Sequence, residues 1–250
     1  MSKITPKTQA ELDLMREGGK IASSVLMAVC KNVKPGVSLR ELDEMAEKLI
    51  LQAGGKPSFK QVAGYNYTTC INVNDGVVHG IPDDTLIKEG DLVKVDLGVL
   101  YKGLHTDVAW TVVAGDTKEY NKFLNCGRQA LNKAIKECRP GRNVLDISRA
   151  IEETVTRAGY NVTRDLVGHG VGRTLHEDPQ IPCYVDKSFS FKLFAGLTVA
   201  VEVIYMMGDF PIEIMPDKWT ICTKDGSMAG LFEHTVLISE KGPEIITKHD

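Results

Sequence analysis

The sequence has no run of about 18 apolar residues, the length that crosses a bilayer. Met1 to Gly18 is polar and carries no apolar leader core, so no membrane partner is expected and a cytoplasmic location follows as the default. The six cysteines, Cys30, Cys70, Cys126, Cys138, Cys183 and Cys222, form no Cys-x-x-Cys pair. That argues against a zinc ribbon or a thioredoxin-type motif and for reduced thiols. No sign of charge dominates, since 30 basic residues face 33 acidic ones for a formal net charge of −3. Lys31, Lys133 and Lys136 are spread along apparent helices as a solvated face, so nothing calls for nucleic acid. No low-complexity stretch or linker divides the chain.

What is present is an ordinary globular composition over 250 residues, 43% apolar and 25% charged. That length suits one large domain or two small ones and buries a substantial core without disulfides. Thr8 and Glu11 have capping-box spacing ahead of an apolar stripe from Leu12 to Cys30. Ser38 and Glu41 open a second helix that Ala53-Gly54-Gly55 closes. A third helix is expected from about Thr117 to Cys138 by its apolar period. Asn143 and Asp146 then repeat the capping box before a stripe of Ile147, Ile151 and Val155. Pro35, Gly36, Ser38, Glu41, Leu42, Ala53 and Gly54 map onto Pro140, Gly141, Asn143, Asp146, Ile147, Ala158 and Gly159 at a constant offset of 105. Two unrelated capped helices could coincide in this way; an internal duplication accounts for the match at both ends and along the stripe. One domain over 1–250, with pseudo-repeats at about 8–115 and 116–240, is therefore expected.

Strand-like sequence follows each helical pair. Asp91–Leu100 and Leu104–Ala114 flank Tyr101-Lys102-Gly103, a hairpin signal. Leu197–Met206 and Leu231–Ile238 are later strands, and the whole reads as α+β with helices over one sheet face. Alternation puts Val93, Val95, Leu97 and Val99 on one face and Asp96 on the other. With the turn centred near Lys102, Asp96 and Asp107 are expected nearly opposite each other. Two such carboxylates about 4 Å apart repel by roughly 4 kcal/mol at an effective dielectric of about 20, which a proton or a metal must offset. The other possibility is an exposed polar face with unrelated acids. Glu202 and Glu233 interrupt the two later strands in the same costly way. His169 lies in Gly168-His169-Gly170-Val171-Gly172, where the glycines allow close backbone approach; no Gly-Lys-Ser/Thr follows, which argues against a phosphate loop. Four carboxylates and a neutral imidazole balance two divalent ions in charge, which suits a two-metal hydrolytic site.

These residues resemble a known family, the type I methionine aminopeptidases of the pita-bread metallopeptidases. The matching motifs are His79-Gly80-Ile81-Pro82, Val95-Asp96-Leu97-Gly98 with Thr106-Asp107, the glycine-flanked His169, His176-Glu177-Asp178-Pro179, Val201-Glu202 and Phe232-Glu233-His234-Thr235. They run over almost the whole chain, from about Thr8 to Val236. The resemblance implies a pseudo-twofold antiparallel sheet covered by helices. It implies that Asp107 and Glu233 bridge two metals, that Asp96 chelates one ion, and that His169 and Glu202 complete the other. It further implies a metal-activated water attacking the first peptide bond, Glu202 as proton shuttle, His176 stabilising the oxyanion, and His79 bonding the scissile amide. Without the resemblance, His79 and His176 could be ordinary loop histidines. Tyr65, Cys70 and Trp219 are candidates for the methionine pocket, because aromatics and a thiol suit a thioether; equally they could be plain core residues.

The sequence departs from the family in three places. Val203-Ile204 stands where Pro-Met is usual, Leu175 where an aromatic commonly precedes the second histidine, and Tyr65-Asn66-Tyr67-Thr68-Thr69-Cys70 differs from the usual Pro- and Ser-containing stretch. None removes a ligand, and all bear on the shape of the pocket. Thirty-two residues between His169 and Glu202 leave no room for the type II helical insertion. The implied substrate is a nascent polypeptide with N-terminal methionine and a small second residue, met by transient ribosome association and acted on by a monomer using Co²⁺, Mn²⁺, Fe²⁺ or Zn²⁺. Two other readings compete, an X-Pro aminopeptidase or prolidase-like peptidase and a non-catalytic pita-bread binding protein.

Overall fold

The computed structural model describes residues 4–249. Met1–Lys3 and Asp250, the extremes of the 1–250 domain expected from the sequence, lie outside the described residues. The chain runs α1 Gln9–Lys31, α2 Leu39–Gln52, β1 Lys56–Pro57, β2 Thr69–Val73, β3 Gly76–Val78, β4 Leu92–Tyr101 and β5 Leu104–Val113. It continues through α3 Asn121–Glu137, α4 Val144–Arg157, β6 Asn161–Val162, β7 Val167–Gly170, β8 Glu177–Pro182, β9 Thr198–Met206, β10 Ile212–Ile214, β11 Ile221–Thr223, β12 Ala229–Ser239 and β13 Gly242–Ile245.

Three helices start where their capping boxes place them, behind Thr8, Ser38 and Asn143, each box closed in both directions. The third starts at Asn121, later than the apolar period suggests. Its cap, Tyr120, offers no side-chain bond, and the preceding chain turns instead, Glu119 N donating to Thr117 Oγ1 at 3.2 Å. Among the described residues, no helix is long and apolar enough to cross a membrane. All six cysteines are buried and unpaired with one another.

The strands form a ten-stranded sheet whose main path is β1-β4-β5-β12-β9-β7-β8, with β2 beside β4, β6 beside β9 and β13 beside β12, every pairing antiparallel. One face is covered. Leu26, Leu42, Ala46 and Ile50 of α1 and α2 pack on Val93, Val95, Leu97 and Val108. Phe123, Leu131, Ile147 and Ile151 of α3 and α4 pack on Val201, Val203 and Phe232. These strand positions alternate with the acids, so the apolar period that seats the helices turns Asp96, Glu202 and Glu233 to the opposite face. A small sheet, β10-β11-β3, stands at the edge of that face.

The two helix pairs are fastened by matching hydrogen bonds to the segments that lead into β4 and β9. Gly36 N donates to Ile87 O at 2.8 Å, as Gly141 N does to Leu193 O at 2.9 Å. Leu39 N donates to Thr85 O and Val144 N to Phe191 O, again at equivalent points. Gly36 and Gly141 both hold left-handed backbone, φ 89 and 86, which glycine adopts without strain.

One detail of register corrects the sequence reading. The β4–β5 hairpin turns on two left-handed residues, Lys102 (φ 48) and Gly103 (φ 89), as a two-residue hairpin turn requires. That pairs Asp96 with Ala109 and Gly98 with Asp107. The two acids share a face but are offset diagonally rather than opposed.

Candidate active site

The register of four strands brings the acids together. Cys70 pairs with Asp96, Asp96 with Ala109, Ala109 with Glu233 and Glu233 with Glu202. A single row across β2, β4, β5, β12 and β9 therefore carries three of the four carboxylates. Asp107 lies two residues from Ala109 and so on the same face. His169 pairs with Ala200, two residues from Glu202, and joins that face from the neighbouring strand. At the centre the β5–β12 ladder is bridged by side chains on both sides of the Glu233–Ala109 pair. Thr235 Oγ1 accepts from Asp107 N and donates to Asp107 O, both at 2.8 Å. Thr111 Oγ1 does the same for Leu231, at 2.8 and 2.7 Å. The backbone of Asp107 is thus held by a neighbouring hydroxyl, leaving its carboxylate to the cavity.

Asp107, His169 and Glu233 are buried, and their ligand atoms lie within 4.8 Å of one another. His169 Nε2 is 3.8 Å from Asp107 Oδ2 and 3.6 Å from Glu202 Oε1, too far for strong hydrogen bonds. Its Nδ1 is 2.8 Å from Gly170 O. A carbonyl only accepts, so Nδ1 carries the proton and Nε2 presents a lone pair to the carboxylates. Asp96 Oδ1 and Glu233 Oε1 are buried without any hydrogen-bond partner. A buried, unpartnered carboxylate oxygen is costly, and a divalent cation satisfies oxygen and imidazole ligands together. The donor set fits such an ion.

The protonation pattern points the same way. Burial, then Asp107 and Glu202, pushes the Asp96 carboxyl well above its ordinary range. Burial, then Asp107, does so for Glu202; burial, then Asp107, Glu202 and Asp96, for Glu233. Burial raises Asp107 to about 7, checked by the Val108 N–H that its Oδ1 accepts at 3.1 Å. Burial, with His176 nearby, lowers His169 to about 4, so its imidazole is neutral at pH 7. Without added positive charge the cluster keeps protons; cations would displace them.

All ten residues singled out in the sequence line one cavity of about 300 Å³. His79 is exposed into it, and burial with His176 lowers its basicity. His176 is lowered by burial, and its ring lies 4.5 Å from that of His169. At the apolar end Tyr65 meets Trp219 edge-on, rings 5.0 Å apart, and Cys70 is buried beneath them. The Tyr65 loop is pinned by Asp43 of α2, whose Oδ1 accepts from Thr68 N at 3.0 Å, Thr69 N at 2.8 Å and Thr69 Oγ1 at 2.7 Å. Trp219 arrives on the β10–β11 hairpin, which β3 holds beside His79.

The sequence reading missed Phe59, Val62 and Asp165 as lining residues, while Leu175 and Ile204, at two of the departures noted above, do line the cavity. Phe59 and Val62 gave a faint signal as an apolar pair ahead of Tyr65. They approach the strand because Gly98 has no Cβ: one built there would lie 2.7 Å from Ser58 Cβ and 3.1 Å from Phe59 Cε1.

One sheet face thus carries four carboxylates and an imidazole beside an apolar pocket and two further histidines. The model of metallopeptidase family M24 matches residues 13–240. The chain belongs to metallopeptidase family M24. Within that family it is similar to methionine aminopeptidase 1 of Bacillus subtilis, 39% identical over 246 residues, 98% of this chain and 99% of the relative. It is 40% identical to the methionine aminopeptidase of Aquifex aeolicus over 96% of this chain and 97% of that one. The solved methionine aminopeptidase of Thermotoga maritima superposes with a TM-score of 0.95 at 43% identity, over 98% of this chain and all of that one. A prolidase from Pyrococcus furiosus also shares the fold, TM-score 0.80 at 26% identity, but only 66% of that chain is covered. The M24 architecture, a pita-bread α+β fold, is the one expected from the motifs.

Proposed function

We propose that the protein removes N-terminal methionine from nascent polypeptides with a small second residue, using two divalent metal ions. The observation that carries this reading is the row of buried acids, with unpartnered oxygens on Asp96 and Glu233, at the floor of a cavity whose other end is apolar. Asp107 and Glu233 would bridge the ions, Asp96 would hold one, and His169 and Glu202 the other. Four carboxylates against two divalent cations close the charge. Oxygen-rich ligands with one imidazole accept Mn²⁺, Fe²⁺, Co²⁺ or Zn²⁺. When bound, such ions supply Lewis acidity and activate water for attack on a carbonyl.

The chain's own residues do the rest. Tyr65, Cys70 and Trp219 receive the methionine side chain and exclude water from it. This places the first peptide carbonyl over the carboxylate floor. Glu202, raised by burial and by Asp107, takes a proton from water and passes it on. His176 donates to the developing oxyanion. His79 bonds the scissile amide and helps protonate the leaving amine. The catalytic unit is the whole chain, a duplicated pair of halves at about 8–115 and 116–240, acting as a cytoplasmic monomer at the ribosome.

The test is release of the N-terminal amino acid, with added Mn²⁺ or Co²⁺, from Met-Ala-Ser, Met-Lys-Ser and an Ala-Pro peptide. Cleavage of Met-Ala-Ser alone is expected. Cleavage of Ala-Pro alone would support the prolidase-like reading instead, and bound metal without any cleavage the binding-protein reading.

A further inference from the structure

His79 holds left-handed backbone at φ 58, a conformation disfavoured for a residue with a side chain. Something must hold it there. The two rotations at its Cα turn the peptide plane that ends in the Val78 carbonyl against the one that begins at the Gly80 N–H. Both planes are gripped by one side chain. Asn72 Nδ2 donates to Val78 O at 3.1 Å, and Asn72 Oδ1 accepts from Gly80 N at 2.9 Å. Asn72 is buried on β2, 3% exposed. Its neighbour Ile71 donates through N to Gly80 O at 3.0 Å, and Tyr65 Oη, which donates to Thr69 O at 2.7 Å, lies 3.2 Å from the same Gly80 oxygen. Residue 80 must be glycine for this contact: a Cβ there would strike Ile71 O and lie 2.7 Å from Asn72 Cγ.

We propose that Asn72 is a positioning residue for His79, its carboxamide setting the backbone rotation that aims the imidazole into the cavity. The proposal rests on the reading of His79 as the group that assists the leaving amine. A carboxamide suits this task because one planar group supplies a donor and an acceptor side by side. Without it the His79 backbone relaxes toward negative φ and the ring swings off the scissile bond. Asn72 itself touches no substrate.

The experiment is a double-mutant cycle on the metal-loaded enzyme with Met-Ala-Ser. Asn72→Ala removes the bracket, and Asn72→Leu removes it while filling its volume, so that a variant failing to fold, seen by thermal melting, leaves the other to be read. The expected result is a kcat lower by about 10- to 100-fold, with KM and metal content close to wild type. In the His79→Ala background the same Asn72 changes should reduce kcat no further. Unchanged kcat in the Asn72 variants, or an equal loss in both backgrounds, overturns the proposal. Wild-type kcat in His79→Ala alone overturns the reading beneath it and leaves the bracket no catalytic purpose.

Discussion

Glu202 and Glu233 stand directly across from each other in the antiparallel β9–β12 pair, on one sheet face, Glu233 buried and Glu202 partly buried. Without metal, holding both acids in the fold costs either repulsion between like charges across the strands or the uptake of protons that relieves it. In the metal-free protein, Glu202→Gln is therefore expected to stabilise. A gain of about 1–2 kcal/mol corresponds to roughly 3–6 °C in Tm for a chain this long. With Mn²⁺ present the order should reverse, because the variant has lost a ligand. Differential scanning calorimetry with and without metal at pH 8 reads both signs; a lower metal-free Tm in the variant would refute the repulsion.

The pH dependence of the metal-free protein follows from the same cluster. Asp107 is raised from an ordinary carboxylate value to about 7, and Asp96, Glu202 and Glu233 are raised well above theirs. Between the unfolded-state pKa near 4 and these folded values, the folded state binds more protons than the unfolded one. Stability must then fall as pH rises. The metal-free Tm should drop from pH 5 through pH 7, the window set by Asp107. Saturating divalent metal should remove the slope, since binding displaces those protons. A metal-free Tm that rises over pH 5 to 7 would contradict the shared-proton description.

Asp96→Ala and His79→Ala separate ligand from catalytic group. Asp96→Ala should lose bound metal and lower turnover by more than about 100-fold, beyond the usual cost of an outer-sphere change. His79→Ala should keep its metal and still lose turnover. Metal content by atomic emission beside methionine release measures both. Metal loss in His79→Ala would move that residue into the ligand set.

Packing of the covered face gives a prediction independent of chemistry. Gly127 on α3 lies flush against the sheet: an added Cβ would strike Phe232 Cδ2 and lie 2.6 Å from Tyr205 Oη. Tyr205 cannot retreat freely, as its Oη donates to Phe123 O at 2.7 Å. Gly127→Ala should cost about 1–3 kcal/mol by overpacking, read by urea denaturation, with metal content unchanged. A wild-type midpoint would mean that α3 sits looser than described.

What could be read from the sequence were the features written locally. Capping boxes at Thr8, Ser38 and Asn143 placed three helices, and acids inside apolar strands marked Asp96, Glu202 and Glu233. Features that depend on pairing between distant segments could not be read. The offset of Asp96 from Asp107 is decided by a two-residue turn, and two residues of pairing separate opposed from diagonal. The threonine bridges at Thr111 and Thr235, and the approach of Phe59 through the gap at Gly98, require strands far apart in sequence. The left-handed backbone of His79 is likewise invisible until Asn72 is seen beside it.

The most direct measurement is anomalous scattering at the manganese edge from crystals soaked in Mn²⁺. Two peaks are expected on the sheet face, together contacting Asp96, Asp107, His169, Glu202 and Glu233. A single peak would contradict the paired-ion site, and no peak among these side chains would contradict metal binding there altogether.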